Sequence, residues 1–126
     1  NSTDAFIAYC FHSVDGYSKV GSYTGNGSTD GTFVYTGFKP AYVMIKNTQA
    51  SAGSQWVVKD SDRSPNNPVD ERIRPNDNSA ETTGADVDFT SNGIKIRSAS
   101  GEVNTSGDNY MFLAFAEMPS RWARGR

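Results

Sequence analysis

One leucine, Leu113, stands against twelve glycines in this chain, and that imbalance argues against a helical fold before any motif is read. A helix bundle draws heavily on Leu, Ala, Glu and Lys. Here Val, Tyr, Phe and Thr come in short runs cut by Gly, Asn, Asp and Ser, the vocabulary of strands and tight turns. The 126 residues are the size of one domain. Such a chain buries roughly two-thirds of its unfolded surface, enough for a core without metal or disulfide staples. With 36 % hydrophobic and 12 % aromatic residues, that core is expected to be thin and built from large rings, which suits a small sandwich.

The strands are read from runs and turns. Residues 5–12, aromatic and too short for a helix, read as a first strand. Asp15-Gly16 then reads as a hairpin turn into a second strand, Tyr17 to Thr24. After the loop at 25–31 come Thr32–Thr36, a corner at Gly37–Pro40, Ala41–Lys46, a loop at 49–54 and Gln55–Lys59. Residues 60–86 are acidic and carry Pro65, Pro68 and Pro75; they read as a long surface loop with one short extended piece near Val69–Ile73. Val87–Thr90 and Ile94–Arg97 flank a second hairpin signal at Asn92-Gly93, Ser98–Asp108 is a polar loop, and Asn109–Met118 is the last and longest apolar strand, expected to pair with the first. About eight short strands with no credible helix predict a single-domain, all-β antiparallel sandwich of jelly-roll-like topology over residues 1–119, followed by a basic tail, 120–126.

Charge and special residues narrow the chemistry. The formal net charge is −2, whereas phosphate binding needs a clustered positive face. Nucleic acid is therefore not an expected partner. The one basic cluster, Arg121, Arg124 and Arg126 with Trp122, reads as a solvated tail or a peg that docks on an acidic neighbour. No apolar run approaches the ~18 residues of a membrane-spanning helix. The N-terminus lacks a signal-peptide pattern, and the chain begins at Asn1 rather than Met, as a processed, trimmed or partial chain would.

Cys10 and His12 would share a strand face and invite a Cys/His nucleophile reading, but a buried cysteine beside a half-exposed histidine is the simpler expectation. No catalytic set is expected, and no cofactor. From Asp60 onward, Asp60, Asp62, Ser64 and Glu71 fall on EF-hand ligand positions. Pro65, however, occupies the place that needs a glycine, which leaves at most a loose surface Ca²⁺ site. Asn1, Asn26 and Asn104 head glycosylation sequons. Among the aromatics, Trp56 reads as core, while Tyr17 and Tyr23, near turns, are candidates for stacking on sugar rings.

Four phrases occur in order: Cys10-Phe-His-Ser-Val-Asp-Gly-Tyr-Ser-Lys-Val-Gly-Ser-Tyr-Thr-Gly25, Phe33-Val-Tyr-Thr-Gly-Phe-Lys-Pro-Ala-Tyr-Val-Met-Ile-Lys46, Asp88-Phe-Thr-Ser-Asn-Gly-Ile-Lys-Ile-Arg97 and Tyr110-Met-Phe-Leu-Ala-Phe-Ala-Glu-Met-Pro119. From Ala5 to Pro119 the chain resembles a domain of unknown function found in structural proteins of marine and other tailed bacteriophages, often at the C-terminal end of longer chains. The resemblance implies a place on the virion surface and transfers no catalytic residue. Two roles fit it. One is particle decoration through homo-oligomeric and lattice contacts with other virion proteins. The other is a glycan- or receptor-binding module of a tail fibre or spike, using loops 25–31, 49–54 and 60–86. A depolymerase comes third, because no acid–base pair is evident.

Overall fold

The structure, a computed structural model, describes residues 5–49 and 55–118. Eight strands form: β1 (Ser18–Thr24), β2 (Phe33–Tyr35), β3 (Pro40–Asn47), β4 (Trp56–Asp60), β5 (Val69–Arg72), β6 (Thr82–Thr90), β7 (Gly93–Ile96) and β8 (Asn109–Ala116). They make two four-stranded antiparallel sheets, a front sheet in the order β1-β8-β3-β4 and a back sheet in the order β2-β7-β6-β5. This is the expected all-β sandwich. A jelly roll nests its strands as pairs 1–8, 2–7, 3–6 and 4–5. Here β1–β8 and β2–β7 keep that nesting. β3 instead pairs with β4 and β6 with β5, and a lone bridge between Val58 and Ile73 ties β4 to the residue after β5.

Alternation along the strands builds the core. The front sheet sends Tyr23, Val43, Ile45, Val57, Tyr110, Phe112, Ala114 and Ala116 inward, and the back sheet sends Val34, Val69, Val87, Phe89, Ile94 and Ile96. Full burial of each Val, Ile or Phe side chain among them is worth roughly 1.5–3 kcal/mol. Val103, from the loop between β7 and β8, is also fully buried. That loop is bolted down by polar groups. The Tyr23 hydroxyl donates to the Val103 carbonyl (2.6 Å), and its ring stacks on Tyr110 at 5.1 Å. The Tyr110 hydroxyl in turn donates to the Gly101 carbonyl and accepts from the Thr105 amide.

Both turn signals mark real chain reversals, by other means than expected. At Asp15-Gly16 the reversal has three residues between Val14 and Ser18: the Tyr17 amide bonds the Val14 carbonyl, and Gly16 takes φ 71°, as a type II turn requires of its third residue. The residues ahead of it, 5–13, form no strand and are exposed. The expected first strand is thus absent, and β8 pairs with β1 and β3 instead. The segment leaves β1 because the Ser13 hydroxyl accepts from the Val20 amide (3.0 Å) and the Ser18 hydroxyl donates to the His12 carbonyl (3.1 Å), so the ladder stops after one bridge. Cys10 is accordingly exposed rather than buried.

In the second reversal Thr90 pairs with Gly93, leaving Ser91 and Asn92 as the loop. Positive φ is confined, among described non-glycine residues, to Ala85, so this is no type I′ turn. Gly93 is needed for packing instead, since a Cβ there would fall inside the van der Waals shell of the Val34 carbonyl oxygen and the Phe33 ring. Gly93→Ala is therefore expected to cost about 1–3 kcal/mol, read as a lower urea midpoint with unchanged m-value.

Residues 60–86 hold more order than expected. β5 matches the extended piece near Val69–Ile73, but β6 begins at Thr82, inside the expected loop. Alanine, glycine and threonines hid it, as did a bulge: Val69 pairs with Val87 and Glu71 with Thr83, leaving extra residues on β6 around Gly84 (φ 112°) and Ala85 (φ 55°).

Candidate functional site

The bulge has a chemical consequence. It helps direct the Gly84 carbonyl to Lys59, whose alternation with Val57 on β4 points its side chain into the sandwich, where it is fully buried. The Lys59 Nζ donates to the carbonyls of Asp70 and Gly84, each at 2.7 Å. Burial pushes the amine down to about 8, with Asp86 pulling it up, Arg72 pushing it down, and Asp70 and Glu102 pulling up more weakly. Arg72 and Arg74 both pair with Glu102 at this end of the molecule. With no accessible surface, the amine cannot meet a substrate. Its chemistry is to clamp β4 to β5 and to the β6 bulge.

The candidate calcium residues lie next to it without forming a centre. The Asp60 Oδ1 accepts the amides of Asp62 and Arg63, and its Oδ2 pairs with Arg63. This carboxylate therefore holds the turn after β4. Asp62 is exposed, and the Glu71 amide bonds the Ser64 hydroxyl. Among the described residues no three of His, Cys, Asp and Glu are placed to hold a metal ion. The turn does shape a polar cup of about 240 Å³ lined by Arg63, Ser64, Asn66, Asn67, Asp70 and Glu71 with two prolines. Arg63 also reaches Glu81, while its Nε is buried with no partner among the described residues.

The aromatic candidates separate. Tyr23 is core, with only 8 % of its surface exposed, and burial together with Tyr110 pushes its phenol far above the ordinary 10; it cannot stack on a ligand. Tyr17 is exposed but sets its ring edge-on to Phe115 at 5.9 Å, where Phe11 and Tyr42 join it. Trp56 is half-buried on the outer face of the front sheet rather than in the core. Asn104 is fully buried, which closes its sequon in the folded chain. Asn1, most of loop 49–54, and Arg121, Trp122, Arg124 and Arg126 lie outside the described residues.

The feature that sequence reading missed is the outer face of the front sheet. Cross-strand register aligns Val20, Leu113, Met44 and Val58 in one row, flanked by Phe115 and Tyr42 on one side and by Met111 and Trp56 on the other. The signal was present: β8 is apolar at both parities, the mark of a strand covered on both faces. Phe11, the last residue of the exposed apolar segment 5–11, sets its ring edge-on to Phe115 on this face.

A family model described as a domain of unknown function (DUF7483) matches residues 1–119. No curated protein and no solved structure matches the chain.

Proposed function

The chain belongs to the DUF7483 family, and from that premise we propose that it is a structural module on the surface of a bacteriophage particle, acting through contacts with its own copies and with other virion proteins. The observation that carries this is the run of exposed apolar side chains at residues 5–11, with Met111 exposed on the apolar outer face of the front sheet, where Leu113 and Val58 are buried. Contiguous exposed apolar surface marks protein contact. The resemblance of the four phrases to phage structural proteins supports the virion setting. A rigid sandwich with tightly bonded loops suits a load carried by packing rather than by chemistry.

A second reading has its own observation. The polar cup at residues 63–71 presents amide, hydroxyl, carboxylate and guanidinium groups, the donors and acceptors that a glycan would use. It would make the domain an adhesion module of a fibre or spike.

One experiment tests both. Gold-labelled antibody against the domain is expected to decorate purified particles at regular spacing over the capsid or tail. Label confined to fibre tips favours adhesion, and absence of the chain from purified particles by mass spectrometry overturns the virion reading.

A further inference from the structure

Residues 5–11, Ala-Phe-Ile-Ala-Tyr-Cys-Phe, have the composition of a strand buried on both faces, yet Phe6, Ile7, Tyr9 and Phe11 are 84, 82, 81 and 56 % exposed. The hairpin that would hold them on β1 is begun and then abandoned. Val14 and Ser18 exchange both backbone bonds (3.0 and 2.9 Å), after which serine hydroxyls replace the ladder at Val20 and His12. Beyond Val20 the edge of β1 is open at Ser22, before the Thr24 carbonyl accepts from the Thr32 hydroxyl (2.7 Å). Ser22 shares the outward parity of Ser18 and Val20, and its backbone groups have no partner among the described residues. The opposite edge of the same sheet is closed, because Val58 and Ile73 exchange two backbone bonds (2.9 and 3.1 Å). An open edge beside an unpaired apolar strand is a template for pairing with another chain.

We propose that residues 5–11 add as a strand to the open β1 edge of a second copy of this chain, and reciprocally, forming a two-fold strand-exchanged dimer. An isologous exchange satisfies both features with one set of residues, since each copy supplies one orphan strand and one orphan edge. The area is sufficient. At the 150–250 Å² that a large ring presents, the three rings of Phe6, Tyr9 and Phe11 offer roughly 500 Å² per copy. Doubling this by symmetry and adding the paired backbone passes the ~1,000 Å² that a specific interface needs. This names the contact by which the module proposed above meets its own copies.

The test is sedimentation of the full chain at micromolar concentration, with reductant present so that exposed Cys10 does not cross-link, read beside hydrogen exchange at the Ser22 amide. The native chain is expected to sediment as a dimer with Ser22 protected. The double variant Phe6→Ser, Tyr9→Ser is expected to dissociate at least tenfold more readily, to release Ser22, and to melt cooperatively at the temperature of the native chain diluted to monomer, since neither side chain is in the core. A native monomer overturns the proposal, as does a dimer that the variant leaves intact. Protection of Ser22 in a monomer also overturns it, because the segment then closes on its own β1. A monomer found on particles sinks the exchange alone, and a dimer absent from particles sinks the virion setting alone.

Discussion

Asn104→Ala is expected to lower stability by about 3 kcal/mol and the melting temperature by roughly 10 °C. The Asn104 side chain donates to the Asn26 Oδ1 (3.0 Å) and the Ser28 carbonyl (2.7 Å) and accepts the Asn26 amide (2.9 Å). Its own carbonyl takes the Gly27 amide. Because the side chain is fully buried, alanine removes three bonds and admits no water in their place. The loss spreads, since these bonds fasten loop 25–31 to the β7–β8 loop, and that loop plugs Val103 into the core under the Tyr23 hydroxyl. Ser28→Ala is the contrast. Among the described residues the Ser28 hydroxyl accepts only from the exposed Asp30 amide, and its loss is expected to stay within about 0.5 kcal/mol. Urea melts of the two variants check this; an Asn104→Ala midpoint equal to the native one would show that the loops hold without the clasp.

What could be read in the sequence follows from where the information is local. Most strands were legible because β-branched and aromatic runs end at turn residues, as with Ala41–Lys46 inside β3 and Ile94–Arg97 across β7. Residues 5–12 have the same local signal and form no strand, because pairing is decided by a competitor, the Ser13 and Ser18 hydroxyls, that no periodicity reveals. Gly93 marked a hairpin correctly for a wrong reason, its need being space for Val34 rather than a positive φ. Tyr23 sat near a turn and looked available. Only the register with Tyr110 places it inside. A spacing rule also misses the roles within residues 60–71: Asp60 and Arg63 pair with one another, and the Asp60 carboxylate holds the turn after β4. Lys59 was legible in principle, since alternation in Trp-Val-Val-Lys-Asp sets it on the face of Val57. Lysines are seldom fully buried, so charge points the other way.

Raising the pH from 8 is expected to stabilise the protein, and Lys59 is the reason. The folded amine releases its proton near 8, the unfolded one near the ordinary 10.5. Between those values the unfolded chain binds more protons, so unfolding becomes harder as pH rises. The gain is expected to reach roughly 1–2 kcal/mol by about pH 9.5. A neutral amine has two N–H groups, and the carbonyls of Asp70 and Gly84 receive both, so deprotonation relieves a buried charge without orphaning an acceptor. Above about pH 10 the sign reverses. Tyr23 and Tyr42, both held above the ordinary value chiefly by burial, keep phenolic protons that the unfolded chain gives up, and stability falls. The profile should therefore rise, crest near pH 10 and drop. Lys59→Met removes the rising limb and keeps the falling one. It also strips the donor from two carbonyls in the sandwich interior, so it is expected to lie about 1–3 kcal/mol below the native chain at pH 7, with the gap widening toward pH 9.5. Chemical denaturation at half-unit steps from pH 7 to 11 measures this. A native chain whose stability is flat or falling between 8 and 9.5 would mean that the buried amine keeps its proton and that the clamp is a charged one.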